Sequence, residues 1–439
     1  MFSNGNSSNK LETTDRYLVL FREDQVEQGI KTLQDSTGIK NLARAAEFAD
    51  KAVTAEQLEK TDAVVLDRLG VAVTHFDQNQ AQSLHTVMSE GGAILAIEPE
   101  RVVYALNDVR MAKVEERILS ERTKIPRNYL SGYQDGINHL IDNLLSPEKS
   151  SEDVKAEYEE MEATWGLQAI EVVDCPYTGR GIKVAVLDTG FDSSHPDFAD
   201  RQIVSKSFVN NEEPQDKQGH GTHVIGTACG PGNPSTELRY GVAYQAKIYS
   251  GKVLSNKGRG TDRQILSGIE WAINNNCAII SMSLGGFGSG DYSQVFEDIA
   301  KRALRNDTLI IAAAGNSSRR HINHVSPVGH PANCPSIMAV AALDRELEVA
   351  VFSNGGSEIN IAAPGVDVYS SYPKQKEYKR LKGTSMATPH VSGIAALYAE
   401  ATGARGQELW ERITENARKL SLPAKDVGAG LAQAPMKSC

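Results

Sequence analysis

A serine at the head of a predicted helix is the first candidate for chemistry in this chain. Residues 383–390, GTSMATPH, place Ser385 between a glycine-containing turn and a run of small residues that suits a buried helix. A hydroxyl at that point lies beside the free N–H groups of the first helical turn and the positive end of the helix dipole. A nucleophile needs such fixed donors, because its attack creates negative charge. Serine also commonly caps helices, so this segment alone leaves both interpretations open.

An acid and a histidine in two other segments could complete a nucleophilic site. Residues 183–190, KVAVLDTG, predict a buried strand that ends at Asp188, and sites in open α/β sheets lie past the carboxyl ends of strands. Asp188 could instead cap the next turn. Residues 219–227, GHGTHVIGT, place His220 between two glycines, where another segment can approach closely. Metal-ligand spacing and the HExxH pattern are absent from this sequence stretch, so we interpret His220 as a base and His223 as a structural residue.

In the order Asp, His, Ser, these motifs resemble those of the subtilisin-like serine proteases, the S8 family of subtilases. The resemblance covers residues 161–435. It implies an α/β fold with a mostly parallel sheet flanked by helices, and a serine endopeptidase that works through an acyl-enzyme without a cofactor. Carried over by motif, Asp188 orients the histidine, His220 is the general base, and Ser385 attacks the scissile carbonyl.

The resemblance also implies an oxyanion hole and a substrate cleft. In residues 309–316, LIIAAAGN, the side-chain amide of Asn316 is expected to bind the oxyanion together with the backbone N–H of Ser385. The positions that match the family's substrate-binding segments are Gly258, Gly260, Ser283, Leu284, Gly285, Ala314, Gly315 and Gly329. A glycine at position 329, on the pocket floor, predicts a deep uncharged S1 pocket that accepts a large apolar or aromatic P1 residue.

Two features of the chain depart from the family's common pattern. Lys257, Arg259 and Asp262 put charges beside the substrate-pairing edge, where we expect a solvated loop, and they leave the S4 preference open. Asp197 matches an aspartate that is often a calcium ligand in the family. Calcium needs six to eight oxygen ligands, and residues 230–240 lack the usual asparagine-rich pattern. Local capping or pairing is therefore the alternative role of Asp197.

Composition fits a water-soluble enzyme. The chain has 439 residues, is 40% hydrophobic and carries a formal net charge of −10, which predicts more than one domain and argues against nucleic-acid binding. Its sequence has neither an apolar run of about 18 residues nor a visible signal peptide. Its five cysteines are odd in number and without CxxC spacing, which predicts reduced thiols. We therefore expect a cytoplasmic protein, with secretion as the alternative if a signal has been removed.

The first third of the chain predicts a separate small domain. We expect a disordered tail over residues 1–14 and an α+β, ferredoxin-like domain over 15–106 with a helical insertion near 38–61. A charged helical connector over 107–160 then leads to the catalytic domain, 161–439. The small domain resembles, more weakly, the inhibitory propeptide of subtilases; an unrelated accessory domain is the alternative.

The apolar run at residues 102–106 could lie in the active-site cleft as a product-like strand. Cleavage after Ala105 or Leu106 is then the hypothesis for maturation, with a further cut in the connector as an alternative. The predicted partners are peptide or protein substrates and the chain's own N-terminal domain as an intramolecular inhibitor. A degradative and a dedicated processing protease both fit the sequence, and a catalytically silent binding module is the competing class.

Overall fold

The computed structural model describes residues 12–48, 56, 61–89, 91–106, 158–236, 238–286, 291–373 and 376–436. The predicted connector therefore lies almost wholly outside the described residues, as does most of the predicted N-terminal tail. Residues 12–106 are called the N-terminal domain below, and residues 158–436 the catalytic domain. The elements of the N-terminal domain are β1 (Thr13–Phe21), α1 (Val26–Thr37), β2 (Leu42–Arg44), β3 (Ala63–Leu66), β4 (Val71–Thr74), α2 (Gln78–Ser89) and β5 (Ile94–Ala105).

The N-terminal domain contains a sheet with the strand order β5-β1-β4-β3-β2. β1 pairs antiparallel with β4 and β5, as β3 does with β4, while β2 joins β3 in parallel. Helices α1 and α2 pack against each other, α1 against β1 and α2 against β5. This arrangement confirms the predicted α+β, ferredoxin-like class.

Both faces of this sheet are buried, as the continuous apolar run of β1 requires. Val19 and Phe21 pack with Ile30 of α1 in a small cluster. The alternating residues Leu18 and Leu20 belong instead to the large core that continues into the catalytic domain. Successive side chains of a strand point to opposite faces. One face therefore carries the domain's own helices, and the other contributes to the core shared with the catalytic domain.

The predicted helical insertion is wrong for its first part, residues 42–47. Residues 42–44 form strand β2, which pairs with β3, and Ala45–Glu47 form one turn of 3-10 helix. The apolar spacing matched a helix, but pairing with an apolar edge strand satisfies the backbone of a short segment equally well. Residue 56 is helical, and residues 49–55 and 57–60 lie outside the described residues.

The catalytic domain is built on a sheet with the order β14-β13-β12-β10-β6-β8-β7, in which every described pairing is parallel. Its strands are β6 (Lys183–Asp188), β7 (Ile203–Ser207), β8 (Lys247–Lys252), β10 (Ile279–Met282), β12 (Leu309–Ala313), β13 (Met338–Leu343) and β14 (Ile359–Pro364). The short strands β9 (Arg259–Thr261) and β11 (Leu284–Gly285) lie apart from this sheet, and β15 (Val368–Ser371) and β16 (Tyr378–Leu381) form a hairpin. The predicted mostly parallel sheet is confirmed.

The helices of this domain are α3 (Trp165–Ala169), α4 (His220–Cys229), α5 (Asp262–Asn274), α6 (Gln294–Arg305), α7 (Thr384–Thr402), α8 (Gly406–Glu415) and α9 (Ala424–Val427). Helix α7 is buried along most of its length and packs on β10, β12, β13 and β14 as well as on α4. Its apolar and small residues suit a helix that is enclosed on all sides. This packing brings the first turns of α4 and α7 close to the carboxyl ends of the central strands.

The described cysteines, Cys175, Cys229, Cys277 and Cys334, are free thiols. Burial raises the pKa of the Cys229 and Cys277 thiols to about 12, so both are neutral. In the described parts of the chain, no helix is long and apolar enough to cross a membrane.

Candidate active site

A buried acid–base pair lies at the carboxyl end of the central strand β6. The Nδ1 of His220 is 2.7 Å from Oδ1 of Asp188, and both side chains are at most 1% exposed. The same carboxylate oxygen accepts from the backbone N–H of Thr189 at 2.7 Å. A carboxylate held in this way fixes the tautomer of the ring, with the proton on Nδ1 and Nε2 as the basic nitrogen.

The turn before His220 is organised around a second buried acid, Asp216. Its Oδ1 accepts from the backbone N–H of Gly219 at 2.8 Å and from the hydroxyl of Thr189 at 3.0 Å. Its Oδ2 accepts from the N–H and the hydroxyl of Thr222, at 2.9 and 2.7 Å. Asp216 thereby ties the end of β6 to the start of α4. Burial raises the pKa of this carboxyl, and the donors around it oppose that effect.

Ser385 lies in the first turn of α7 and is fully buried. Its hydroxyl donates to the carbonyl oxygen of Ser283 at 3.0 Å, and the Ser283 hydroxyl donates back to the carbonyl oxygen of Ser385 at 2.8 Å. The predicted cleft residue Ser283 therefore holds the predicted nucleophile directly. The preceding Gly383 has a φ of 153°, and a Cβ there would lie 3.0 Å from Nδ2 of Asn316, so glycine keeps this approach open.

Asn316 follows β12 and points its amide into the same space. Its Nδ2 donates to the carbonyl oxygen of Leu106, the last described residue of the N-terminal domain, at 3.2 Å. Its Oδ1 accepts from the backbone N–H and the hydroxyl of Thr384, both at 2.9 Å. Thr384 thus fixes which end of the amide faces the cleft. Thr384 was not among the predicted site residues, although it lies within the motif that contains Ser385.

The end of β5 occupies the predicted substrate cleft as an extended strand. It pairs antiparallel with β9 through Val102–Tyr104 and with β11 through Tyr104 and Ala105. The backbone N–H of Ala105 also donates to the carbonyl oxygen of Gly258 at 2.9 Å. The predicted binding residues Gly258, Gly260, Leu284 and Gly285 therefore lie on both sides of this strand. Strand addition of this kind is a common way to bind an extended peptide.

Leu106 lies beside Gly285 of the predicted S1 pocket and is only 7% exposed. A Cβ built on Gly285 would lie 3.4 Å from its Cδ2, and one built on Gly329 would lie 2.6 Å from the carbonyl oxygen of Gly286. Position 329 therefore accepts only glycine without displacing the opposite wall. The pocket walls are tied together, because Gly329 N–H donates to the carbonyl oxygen of Ala314 at 2.9 Å. The N–H of Gly315 donates to the hydroxyl of Thr384 at 3.1 Å.

His223 lies away from the reacting groups, as predicted for a structural residue. Its Nε2 is 3.0 Å from the carbonyl oxygens of both Val368 and Lys379. Burial, followed by the nearby His220 ring, lowers the pKa of His223 to about 3. The ring is therefore neutral and joins α4 to the β15–β16 hairpin.

The surroundings of Asp197 do not fit a calcium ion. Its Oδ1 accepts from the N–H and the hydroxyl of Ser235, both at 2.8 Å, and its Oδ2 accepts from the hydroxyl of Tyr240 at 2.6 Å. Calcium needs several oxygen lone pairs directed at one point, whereas these partners direct hydrogens at the carboxylate. Throughout the described ranges, groups of three or more His, Cys, Asp or Glu residues that could hold a metal are absent.

The charged residues beside the cleft divide into two kinds. Lys257 is exposed, as expected of a solvated loop, whereas Arg259, also exposed, lies on β9 and pairs with Glu12 of the N-terminal domain at 2.5 Å. For Asp262 the expectation is wrong: its side chain is fully buried, with Oδ1 3.0 Å from Nε2 of His330 and Oδ2 accepting from the N–H of Arg101 at 2.9 Å. The sequence could not show this burial, because Arg101 and His330, which contact Asp262, are distant from it in the chain.

Comparison with known proteins agrees with this geometry. The family model for the subtilase family matches residues 179–430. The chain is 40% identical to the thermostable alkaline protease of Halalkalibacterium halodurans over 306 residues, which is 67% of this chain and 80% of that protein. The chain belongs to the subtilase family. This subtilase is also 45% identical to subtilisin E of Bacillus subtilis over 223 residues, 50% of this chain and 56% of that protein.

A solved structure supports the same fold for this subtilase. The crystal structure of a cold adapted subtilisin-like serine proteinase superposes with a TM-score of 0.55 at 30% identity. The superposition covers 63% of this chain and 100% of that chain. The predicted class of enzyme, a subtilisin-like serine endopeptidase, is confirmed by these relatives. The expected cytoplasmic localisation gains no support from them, whereas the alternative of secretion is compatible with them.

Proposed function

We propose that this subtilase is made as a self-inhibited precursor whose own N-terminal domain occupies the cleft until the chain is cut after Leu106. The observation that carries the proposal is the contact between the amide of Asn316 and the carbonyl oxygen of Leu106, at 3.2 Å. In an oxyanion hole, the donor meets the oxygen of the bond that is cleaved. Leu106 then corresponds to P1, and the bond to Asn107 is the one presented to Ser385.

The reaction uses the residues that surround this carbonyl. The Ser385 hydroxyl gives up its hydrogen bond to the Ser283 carbonyl oxygen and transfers its proton to Nε2 of His220. Its Oγ then bonds to the carbonyl carbon of Leu106. The resulting oxyanion accepts hydrogen bonds from Asn316 Nδ2 and the backbone N–H of Ser385. The carbon–nitrogen bond then breaks as His220 protonates the departing amine. Water, deprotonated by His220, hydrolyses the acyl-enzyme and restores the serine. Asp188 keeps the ring in position and stabilises its charged form.

The buried side chain of Leu106 supports a preference for large apolar P1 residues. The pocket that surrounds it is lined by backbone and by the glycines at 285 and 329, with no charged group among the contacts described above. A branched apolar side chain fills such a slot and releases water from it. Substrates with leucine or a similarly large apolar residue at P1 are therefore expected to be cleaved most efficiently.

Contacts outside the cleft support a role of the N-terminal domain as inhibitor. Glu98 accepts from the hydroxyl of Ser293 at 2.5 Å and from the N–H of Gln294 at 2.7 Å, at the start of α6. Glu100 accepts from the N–H of Arg263 at 3.1 Å, at the start of α5. Carboxylates at helix N-termini meet unpaired N–H groups and a favourable dipole. These contacts can hold the cleaved domain in place after the covalent link is lost.

Mass spectrometry of the purified enzyme, compared with Ser385→Ala, tests this proposal. The wild-type protein should yield a fragment that ends at Leu106, and the catalytic part should react with a fluorophosphonate probe at Ser385. The alanine variant should stay full length and unlabelled. A second new N-terminus would report a further cut between residues 107 and 160. If both proteins stay full length, self-maturation is wrong; if Ser385 also resists the probe after the N-terminal domain is removed by another protease, the silent binding module is the better description.

The contacts of Asp197 do not support calcium binding there, and chelation tests whether the protein binds structural calcium elsewhere. Because Asp197 is occupied by Ser235 and Tyr240 as donors, a melt recorded with an excess of a strong chelator should match one recorded with calcium. A drop of more than a few degrees in Tm would show that a calcium site exists elsewhere in the protein. Binding to a native state raises its stability by mass action, so such a drop is the expected signature of a bound ion.

A further inference from the structure

The buried pair of Asp262 and His330 has no part in the reaction described above, yet it lies beside the substrate strand. Asp262 follows β9 directly, and β9 pairs with residues 102–104 of β5. The residue next in register on β5 is Arg101. Its N–H donates to Oδ2 of Asp262, so a carboxylate takes the place of a backbone carbonyl at this rung of the ladder.

The side chain of Arg101 reaches the same carboxylate. Its Nη1 is 3.5 Å from Oδ2 of Asp262 and 3.0 Å from Oε2 of Glu98. The Arg101 side chain is 13% exposed and the Asp262 side chain 0% exposed, so the ion pair is largely shielded from solvent. Two carboxylates thus neutralise one nearly buried cation, which burial alone would destabilise.

Only one of these carboxylates belongs to the catalytic domain. Glu98 lies on β5 and departs with the N-terminal domain, while Asp262 and His330 remain at the wall of the cleft. Arg101 is the P6 residue if Leu106 is P1, and it lies two residues before Val103, the P4 residue. Alternate residues of a strand point to the same face, so a P6 side chain is directed to the same wall as the P4 side chain.

We propose that Asp262, backed by His330, forms a subsite that selects an arginine or lysine six residues before the scissile bond. The carboxylate binds the backbone N–H of the P6 residue in any extended substrate, and its charge adds a preference for a cationic side chain. The preferred substrate is then an extended segment with a cation at P6 and large apolar residues at P4 and P1. This inference rests on the proposed protease function and on Leu106 as P1.

Matched peptides test the subsite. Internally quenched peptides would carry the sequence of residues 97–110, with arginine, citrulline, alanine or glutamate in the place of Arg101. Citrulline keeps the planar shape of arginine but replaces one amino group by a carbonyl oxygen, so it removes the charge and two of the five N–H donors. The purified mature enzyme is assayed with each peptide for kcat/KM. We expect the arginine peptide to exceed the citrulline peptide about tenfold, since a hydrogen bond between charged groups exceeds one between a charged and a neutral group by roughly this factor.

Variants of the enzyme separate this subsite from a general effect of charge. In Asp262→Asn, the ratio between the arginine and citrulline peptides should fall to about one. In Asp174→Asn, which removes an exposed carboxylate of the same domain, the tenfold ratio should persist. Equal cleavage of all four peptides by the wild-type enzyme would overturn the subsite while leaving the protease function intact, and so would an unchanged ratio in Asp262→Asn. Failure to cleave any peptide, together with no labelling of Ser385, would instead count against the protease function.

Discussion

At the scale of single residues, the role of Asp188 depends on its bond to the His220 ring. In the proposed reaction, the 2.7 Å contact between Oδ1 and Nδ1 positions the base, and the carboxylate offsets the positive charge that the ring would acquire. Asp188→Asn preserves the size of the side chain but offers an N–H to Nδ1, which favours the wrong tautomer. We expect kcat to fall on the order of 10⁴-fold with KM nearly unchanged. Steady-state kinetics on an apolar-P1 peptide measures both, and a kcat within tenfold of wild type would reassign the acid.

Asn316 makes a separate contribution, because its amide meets the carbonyl oxygen rather than the nucleophile. Asn316→Ala removes Nδ2 as a donor and leaves the hydroxyl of Thr384 without its acceptor. We expect kcat to fall about 10²–10³-fold, a magnitude known from the related subtilisin, while KM changes little. The companion variant Thr384→Ser retains a hydroxyl for Asn316 and should lose less than tenfold. A loss carried mainly by KM in Asn316→Ala would show that the amide binds substrate and does not stabilise the transition state.

At the scale of elements, helix α6 carries the guanidinium that anchors the N-terminal domain. Arg302 is 3% exposed and donates to the carbonyl oxygens of Phe21 and Leu69, both at 2.8 Å. Arg302→Ala leaves two buried carbonyls without donors, at a cost of about 1–3 kcal/mol each. Hydrogen exchange of the uncleaved Ser385→Ala protein should then show faster exchange in strands β1 and β4. Arg305→Ala is the control on the same helix: its pair with Glu23 is more than half exposed, so it should change little. Equal exchange in both variants would contradict the anchor.

The elements that the sequence predicted best are those whose own residues determine them. The apolar runs of β3 and β4 and the motifs at Asp188, His220 and Ser385 are local patterns, and the corresponding elements begin and end within a few residues of prediction. The short strand β2 was taken for helix, because three residues carry too little periodic signal and the pairing with β3 decides their structure. Asp262 was predicted to be solvated because Arg101, which packs against it, lies 161 residues away in the chain. Long-range contacts of this kind leave no local pattern to detect.

At the scale of the whole molecule, the two domains share a buried titratable group at their contact. Glu270 on α5 is 1% exposed, and its Oε1 accepts from the backbone N–H of Arg68 at 3.0 Å. Desolvation raises the pKa of Glu270 to about 8; the N–H and the charge of Arg68 oppose this shift, and the charge of Asp67 adds to it. When the N-terminal domain dissociates, Glu270 becomes exposed to solvent. Its pKa should then return towards the ordinary value of 4.5.

Release of the N-terminal domain should therefore become easier as pH rises. The docked state binds more protons than the separated state between about pH 4.5 and 8, so raising the pH across this interval weakens docking by up to tenfold per pH unit. Below this interval Glu270 is neutral in both states, and above it Glu270 is charged in both states. The strength of docking should therefore stop changing with pH on each side of the interval. Glu270→Gln keeps an acceptor for Arg68 and cannot ionise. We expect activity to appear after a shorter time in the wild type than in Glu270→Gln. The ratio of the two times, variant over wild type, should grow from pH 5 to 8. Because both proteins have the same active site, any effect of pH on the catalytic residues is the same in both and does not change this ratio. A ratio that stays constant over this interval would show that Glu270 does not couple pH to release.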